Sequence, residues 1–239
     1  MRRRWVGVLV VASVVGALVG LAYSPLLDTE AVLTVGADDP ARAEAVVGAT
    51  GVRRGDPLAF VDTAEVARRV AALPWVETAA VERSWPGGIV EVTVTSRVPV
   101  AALPAPDGRW LLLDRTGQAI AESPNAAGVP VLGGVGAVAL GERLSSVDGV
   151  LVDVAAALTP GLASRVTEVR PGAGGATELA LADGGVVALG QPAGLGAEEL
   201  VVKLRTVRTV LATVDLNCVE RIDVEVSDTA VLTRNPSCT

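Results

Sequence analysis

The chain reads as an α+β protein: one membrane-spanning N-terminal helix, a small β-α-α-β-β unit, then a β-rich domain with two helices. Three observations predict this. Residues Trp5 to Leu27 carry no charge and follow Arg2, Arg3 and Arg4. The hydrophobic period changes from 3.6 to 2 after Trp75, and beyond Arg109 short apolar runs return around two helical stretches. The expected boundaries are 1–4 for a cytoplasmic tail, 5–23 for the membrane helix, 28–97 for the first folded unit and 98–239 for the second.

At 1.5 Å per residue, Trp5 to Tyr23 covers about 27 Å, close to the roughly 30 Å of bilayer hydrocarbon. The three arginines place the N-terminus inside, and Trp5 and Tyr23 fall where interfacial aromatics are favoured. The body is then extracytoplasmic. A cleaved signal peptide, with Gly20 and Ala22 as the small residues of its site, is the competing reading, but its apolar core exceeds the usual length. Gly16 and Gly20 form a GxxxG pair at which another membrane helix could pack closely.

Ala31 to Val35 is a strand ended by Gly36, and Asp38-Asp39-Pro40 caps and opens a helix that closes near Gly51. Gly51 to Pro57 is a loop. Asp62 or Thr63 caps the next helix, whose apolar positions Val66, Val70 and Leu73 recur at helical spacing until Pro74. Val81 lies in the first strand after the change of period. In the second, Val90, Val92 and Val94 alternate with Glu91, Thr93 and Thr95 across a Trp85-Pro-Gly-Gly88 turn. Pro99 and Pro104-Ala-Pro106 loosen the chain. Arg109–Leu113 and Gln118–Ala121 then form a hairpin around Asp114-Arg-Thr-Gly117. Val150–Leu158 is a helix ended by Pro160; Val166–Arg170, Thr177–Leu181 and Val186–Leu189 are strands. Ala197–Leu211 is the best-patterned helix, with Leu200, Leu204, Val207 and Leu211 on one face and Lys203 on a solvent-facing stripe with Glu199. Ile222–Val226 and Ala230–Thr233 are terminal strands.

Composition narrows the chemistry. The chain has no histidine and only two cysteines, which removes His-based triads and most metal centres. Its sole lysine, Lys203, leaves little for a serine–lysine dyad, and the acid pairs Asp38-Asp39 and Glu198-Glu199 sit at helix starts, where carboxylates act as caps. No enzyme activity and no cofactor are expected. Setting aside Arg2–Arg4, 17 basic residues face 27 acidic ones, a balance of −10 that lacks the basic field nucleic-acid binding requires. Cys218 and Cys238 flank the two terminal strands in an oxidising compartment and are expected to form a disulfide; a buried Cys218 with a free Cys238 is the alternative.

The run Leu73-Pro74-Trp75-Val76, continuing through Arg83 to Trp85-Pro86 and followed by Arg97-Val-Pro-Val-Ala101, resembles the bacterial FtsQ/DivIB division proteins. Val131-Leu132-x-Gly134 is similar to a loosened form of that family's Leu-x-Gly element, and Ser96 stands where the family has an acidic residue. The resemblance implies that 28–97 is a POTRA domain. The residues themselves have a structural reading beside it: Pro74 ends the helix, Trp75 is a buried anchor for a core short of rings, Trp85-Pro86 shapes the turn, and Val76 and Arg83 are expected to be structural with them. The resemblance also implies a non-catalytic scaffold at the division septum that recruits and regulates septal cell-wall synthesis. Its partners would be the membrane proteins FtsB and FtsL and the septal synthase FtsW/FtsI, with no small-molecule substrate. The partner strand would add near the C-terminus, at Ile222, Val224 and Val226 and at Ala230, Val231, Leu232 and Thr233. A POTRA module that handles exported chains is the alternative, and a membrane-anchored cell-wall enzyme a more distant one.

Overall fold

A computed structural model describes residues 12–16, 28–85, 87–191, 196–214, 219–225 and 229–234. The expected membrane helix lies outside the described residues except for 12–16, which are helical. Among the described residues no helix is long and apolar enough to cross a membrane. Pro86, Cys218, Val226 and Cys238 also lie outside them. The chain divides into two compact units, Met1–Arg97 and Val98–Thr239.

In the first unit, β1 (Ala31–Val35), α1 (Pro40–Thr50), α2 (Thr63–Ala71), β2 (Val76–Ser84) and β3 (Ile89–Ser96) follow in β-α-α-β-β order. The helices start where their caps dictate. The Asp39 carboxylate accepts from Arg42 N at 2.8 Å with Pro40 in the first turn, and the Asp62 carboxylate accepts from Glu65 N at 3.0 Å. Gly51, in the left-handed region at φ 66°, closes α1. Strand β3 is central, parallel to β1 and antiparallel to β2. Its Val90, Val92 and Val94 pack with Val46, Leu58, Val66, Val70 and Val76 into an aliphatic core. Arg97 returns the chain to β2: its backbone N–H donates to Trp75 O at 2.8 Å and its Nε to Val76 O at 3.0 Å.

The second unit contains β4 (Pro99–Pro104), β5 (Trp110–Asp114), β6 (Ala119–Ser123), β7 (Val131–Leu132), α3 (Ser146–Ala157), α4 (Pro160–Ala163), β8 (Val166–Pro171), β9 (Thr177–Leu181), β10 (Val186–Gly190), α5 (Ala197–Thr213), β11 (Val219–Asp223) and β12 (Val231–Arg234). The nine strands form one mixed sheet in the order β12-β11-β10-β9-β8-β7-β4-β5-β6. The pairs β4–β7, β7–β8 and β10–β11 are parallel. Leu151, Val152, Leu162, Leu204 and Val207 from the helices share a core with Leu113, Leu132, Leu179, Val187 and Ile222 from the strands.

Four sequence expectations are corrected here. Pro99 to Pro104 is a strand rather than a loosened linker, because the prolines stand at its ends, where a missing N–H breaks no interior ladder bond. Pro160 does not merely end a helix: it opens a further turn, α4, as its first residue, so among the described residues the unit has three α-helices and not two. The terminal strands are Val219–Asp223 and Val231–Arg234, shifted from the expected 222–226 and 230–233. Lys203 is not on a solvent-facing stripe but buried, at 3% exposure.

Candidate partner-binding edge

The nine-stranded sheet has two outer strands, and they differ. Beside β6, the segment 141–144 follows the strand's start: Ala119 N–H donates to Glu142 O at 2.8 Å and Gly141 N–H to Ala119 O at 2.8 Å. Among the described residues, strand β12 has β11 as its only neighbour in the sheet. Its register is Asp223↔Val231, Ile222↔Leu232 and Arg221↔Thr233, then a bulge before Val219↔Arg234. All four residues of β12 are exposed, Val231 at 61% and Leu232 at 39%. Such an edge presents unpaired N–H and C=O groups that another strand can take up. A single charge, Arg234, stands at its end.

Behind the edge, β11 is fixed on both faces of the sheet. Ile222 and Val224 are buried, at 1% and 0% exposure, so they anchor β11 in the core and offer no side chain to a partner in the free protein. Of the seven residues expected to bind, Val231, Leu232 and Thr233 lie on the exposed strand and Ala230 precedes it, half-buried against the core. On the side of β11 opposite Ile222, Arg221 donates to Glu178 at 2.8 Å, and Arg170 lies 3.7 Å from the same carboxylate. The Glu220-Arg221 charges disguised β11 in the sequence; the Glu178 pairing on β9 lets one of them stand within a strand. On the helix side the Lys203 ammonium bonds to backbone near the end of β11.

The motif residues are spread through the first unit. Val76 is fully buried, whereas Trp75 is half-buried, with the Arg42 guanidinium 4.9 Å from its ring centroid, so it borders the core rather than filling it. Pro74 is half-buried beside it. Arg83 Nη1 donates to Ala59 O at 3.0 Å, and Trp85 is 47% exposed in the turn. A cleft of about 320 Å³ lies among Asp56, Asp62 and Arg69, but its polar groups are already engaged: Asp56 accepts from Arg53 N, Asp62 caps α2, and Arg69 donates to Thr50 O. The Asp62 carboxyl is held below its ordinary value chiefly by the bond from Glu65 N, and Glu65 chiefly by the Arg69 side chain and then by Arg68. Among the described residues no group of three His, Cys, Asp or Glu is placed to hold a metal ion.

The chain matches two family models, "POTRA domain, FtsQ-type" over residues 35–97 and "Cell division protein FtsQ/DivIB, C-terminal" over residues 101–225. Strand β12 lies beyond the second match. Proteins named cell division protein FtsQ are similar to it. That of Mycobacterium tuberculosis is 33% identical over 183 residues, covering 76% of this chain and 56% of the relative. That of Mycolicibacterium smegmatis is 33% identical over 180 residues, covering 74% and 52%. That of Salinibacter ruber is 33% identical over 251 residues, covering 95% and 90%. The chain thus spans about half the length of the mycobacterial relatives.

Proposed function

Because the chain belongs to the FtsQ/DivIB family of cell division proteins, we propose that it is a non-catalytic scaffold that binds FtsB and FtsL through strand addition at β12. Bound there, it recruits and regulates septal peptidoglycan synthesis by FtsW and FtsI. The 5–23 segment holds it in the cytoplasmic membrane with the N-terminus inside and the 28–97 and 98–239 domains outside, concentrated at the septum. A disulfide between Cys218 and Cys238 closes the chain around β11 and β12.

The observation that carries this reading is the edge: an exposed strand, uncharged from Val231 to Thr233, at the open side of the sheet. Backbone bonds supply affinity there, and alternate side chains supply selectivity. In an antiparallel pair, N–H groups of successive residues point to opposite sides, so one of Val231 and Leu232 faces β11 and the other faces the partner. Proline at the outward position removes a donor that has no partner within the sheet. The test is calorimetric titration of the detergent-solubilised full chain, as Val231→Pro and as Leu232→Pro, with an extracytoplasmic segment of FtsB. One variant is expected to lose binding with its melting temperature nearly unchanged. Full-strength binding by both folded variants would exclude this edge.

A further inference from the structure

Lys203 is the only lysine in the chain, and burying an ammonium is costly unless its donors are satisfied. Here all three have acceptors. Nζ donates to Leu189 O at 2.8 Å and to Glu225 O at 2.8 Å, and Glu199 Oε1 lies 3.3 Å away. The first carbonyl belongs to the end of β10. The second belongs to the chain just past β11, where it leaves toward β12. Gly190, at φ 92°, makes the room: a Cβ there would stand 2.7 Å from Glu225 Cγ and 3.5 Å from the Lys203 ammonium nitrogen. A buried ammonium, a left-handed glycine and a carbonyl 22 residues further along thus converge on one point.

That point lies where the chain passes from β11 toward β12. Because β12 is exposed throughout and, among the described residues, its only strand neighbour is β11, its position is set by β11. Beyond the three-residue register with β10, β11 is prolonged by Val224 N–H donating to Ala188 O at 2.9 Å, and Lys203 holds the carbonyl of the following residue, Glu225. We propose that Lys203 is the positioning residue of the β12 edge, a clamp from α5 that fixes where the chain leaves β11 toward β12 and so presents β12 in a form a partner strand can extend. This rests on the reading of β12 as the partner edge.

The test uses the full chain in detergent as wild type, Lys203→Met and Lys203→Arg, read by residue-resolved hydrogen exchange and then by titration with the FtsB segment. Methionine keeps the length of the side chain and removes every donor; arginine restores donors. Lys203→Met is expected to speed exchange at the amides of β11 and β12 by about tenfold or more, while β8, β9 and β5 change much less. Lys203→Arg should recover most of that protection. Affinity for the segment should fall with the same ranking. Uniform loss of protection across the sheet in Lys203→Met would make Lys203 a general core residue and overturn the proposal. Unchanged exchange at β11 and β12 would overturn it equally. The exchange result does not depend on the partner, so a wild type that fails to bind the segment counts against β12 as the partner edge and leaves the clamp judged on its own.

Discussion

At Trp75, a large ring borders an aliphatic core with one face under a guanidinium, and its energetic role follows from that half-burial. A fully buried Trp→Ala change costs about 3–5 kcal/mol. With part of the ring in water before and after, and an Arg42 contact of cation–π type at 4.9 Å, Trp75→Ala should cost about 1–3 kcal/mol. Denaturant-dependent exchange of the β2–β3 amides would measure it, and a loss at the upper extreme of the fully buried range would contradict the half-buried placement. Two glycines of the same unit should respond in opposite directions. Gly36 has φ 88°, and a Cβ there would run into the Val94 carbonyl, so Gly36→Ala must move backbone and should lower the melting temperature. Gly48 lies inside α1 with nothing within 4 Å of a would-be Cβ, so Gly48→Ala should stabilise the unit by about 0.5–1 kcal/mol.

The start of α2 contributes to the pH response of the first unit. Asp62 and Glu65 both ionise more readily in the folded chain than in the unfolded one, through the N-cap bond and the Arg68 and Arg69 pairs. A depressed folded-state pKa contributes stability that is present above the unfolded value and lost as pH falls through the folded value. Melting temperature should therefore hold at neutral pH and decline below about pH 4, with a flatter decline in Asp62→Asn/Glu65→Gln. Equal slopes for both proteins would show that these carboxylates are not the groups titrating. The caps of α1 and α2, the Val90-Val92-Val94 alternation and the Asp114 hairpin were legible because each is decided within a few residues. At Asp114, for example, one carboxylate oxygen accepts from Thr116 N at 2.8 Å and Gln118 N at 3.0 Å, which folds the turn from within. What escaped the sequence is non-local. Strand β4 is recognisable only once β5 and β7 flank it, and the start of β11, ahead of the Ile222 where the sequence places it, only once Glu178 faces Arg221. Burial of Lys203 depends on two carbonyls, 14 residues before it and 22 after. Of the candidate site, an uncharged terminal strand could be read directly, whereas the anchoring of β11 behind it could not.

For the whole molecule, the proposed function requires that β12 face the extracytoplasmic side, and the sequence supplies a direct probe of this. Cys218 and Cys238 are the only cysteines, and both belong to the second domain. The case for their location is electrostatic: three arginines precede an uncharged stretch from residue 5 to residue 27, and cationic flanks stay on the cytoplasmic side. The case for their pairing is topological. They flank β11 and β12, so a bridge would close a loop of about 20 residues around the edge, worth roughly 3 kcal/mol in the chain-entropy model. Such a loop also restrains the one part of the sheet whose last strand has no core side chains. A membrane-impermeant maleimide applied to intact cells should leave the chain unlabelled. After an impermeant reductant it should add two labels, and the reduced chain should lose exchange protection at β11 and β12 before it does at β8 and β9. Labelling before reduction would mean free thiols and no bridge, with the orientation still supported. Labelling only after the membrane is opened would place the second domain inside the cell, and strand addition from an extracytoplasmic partner would fall with it.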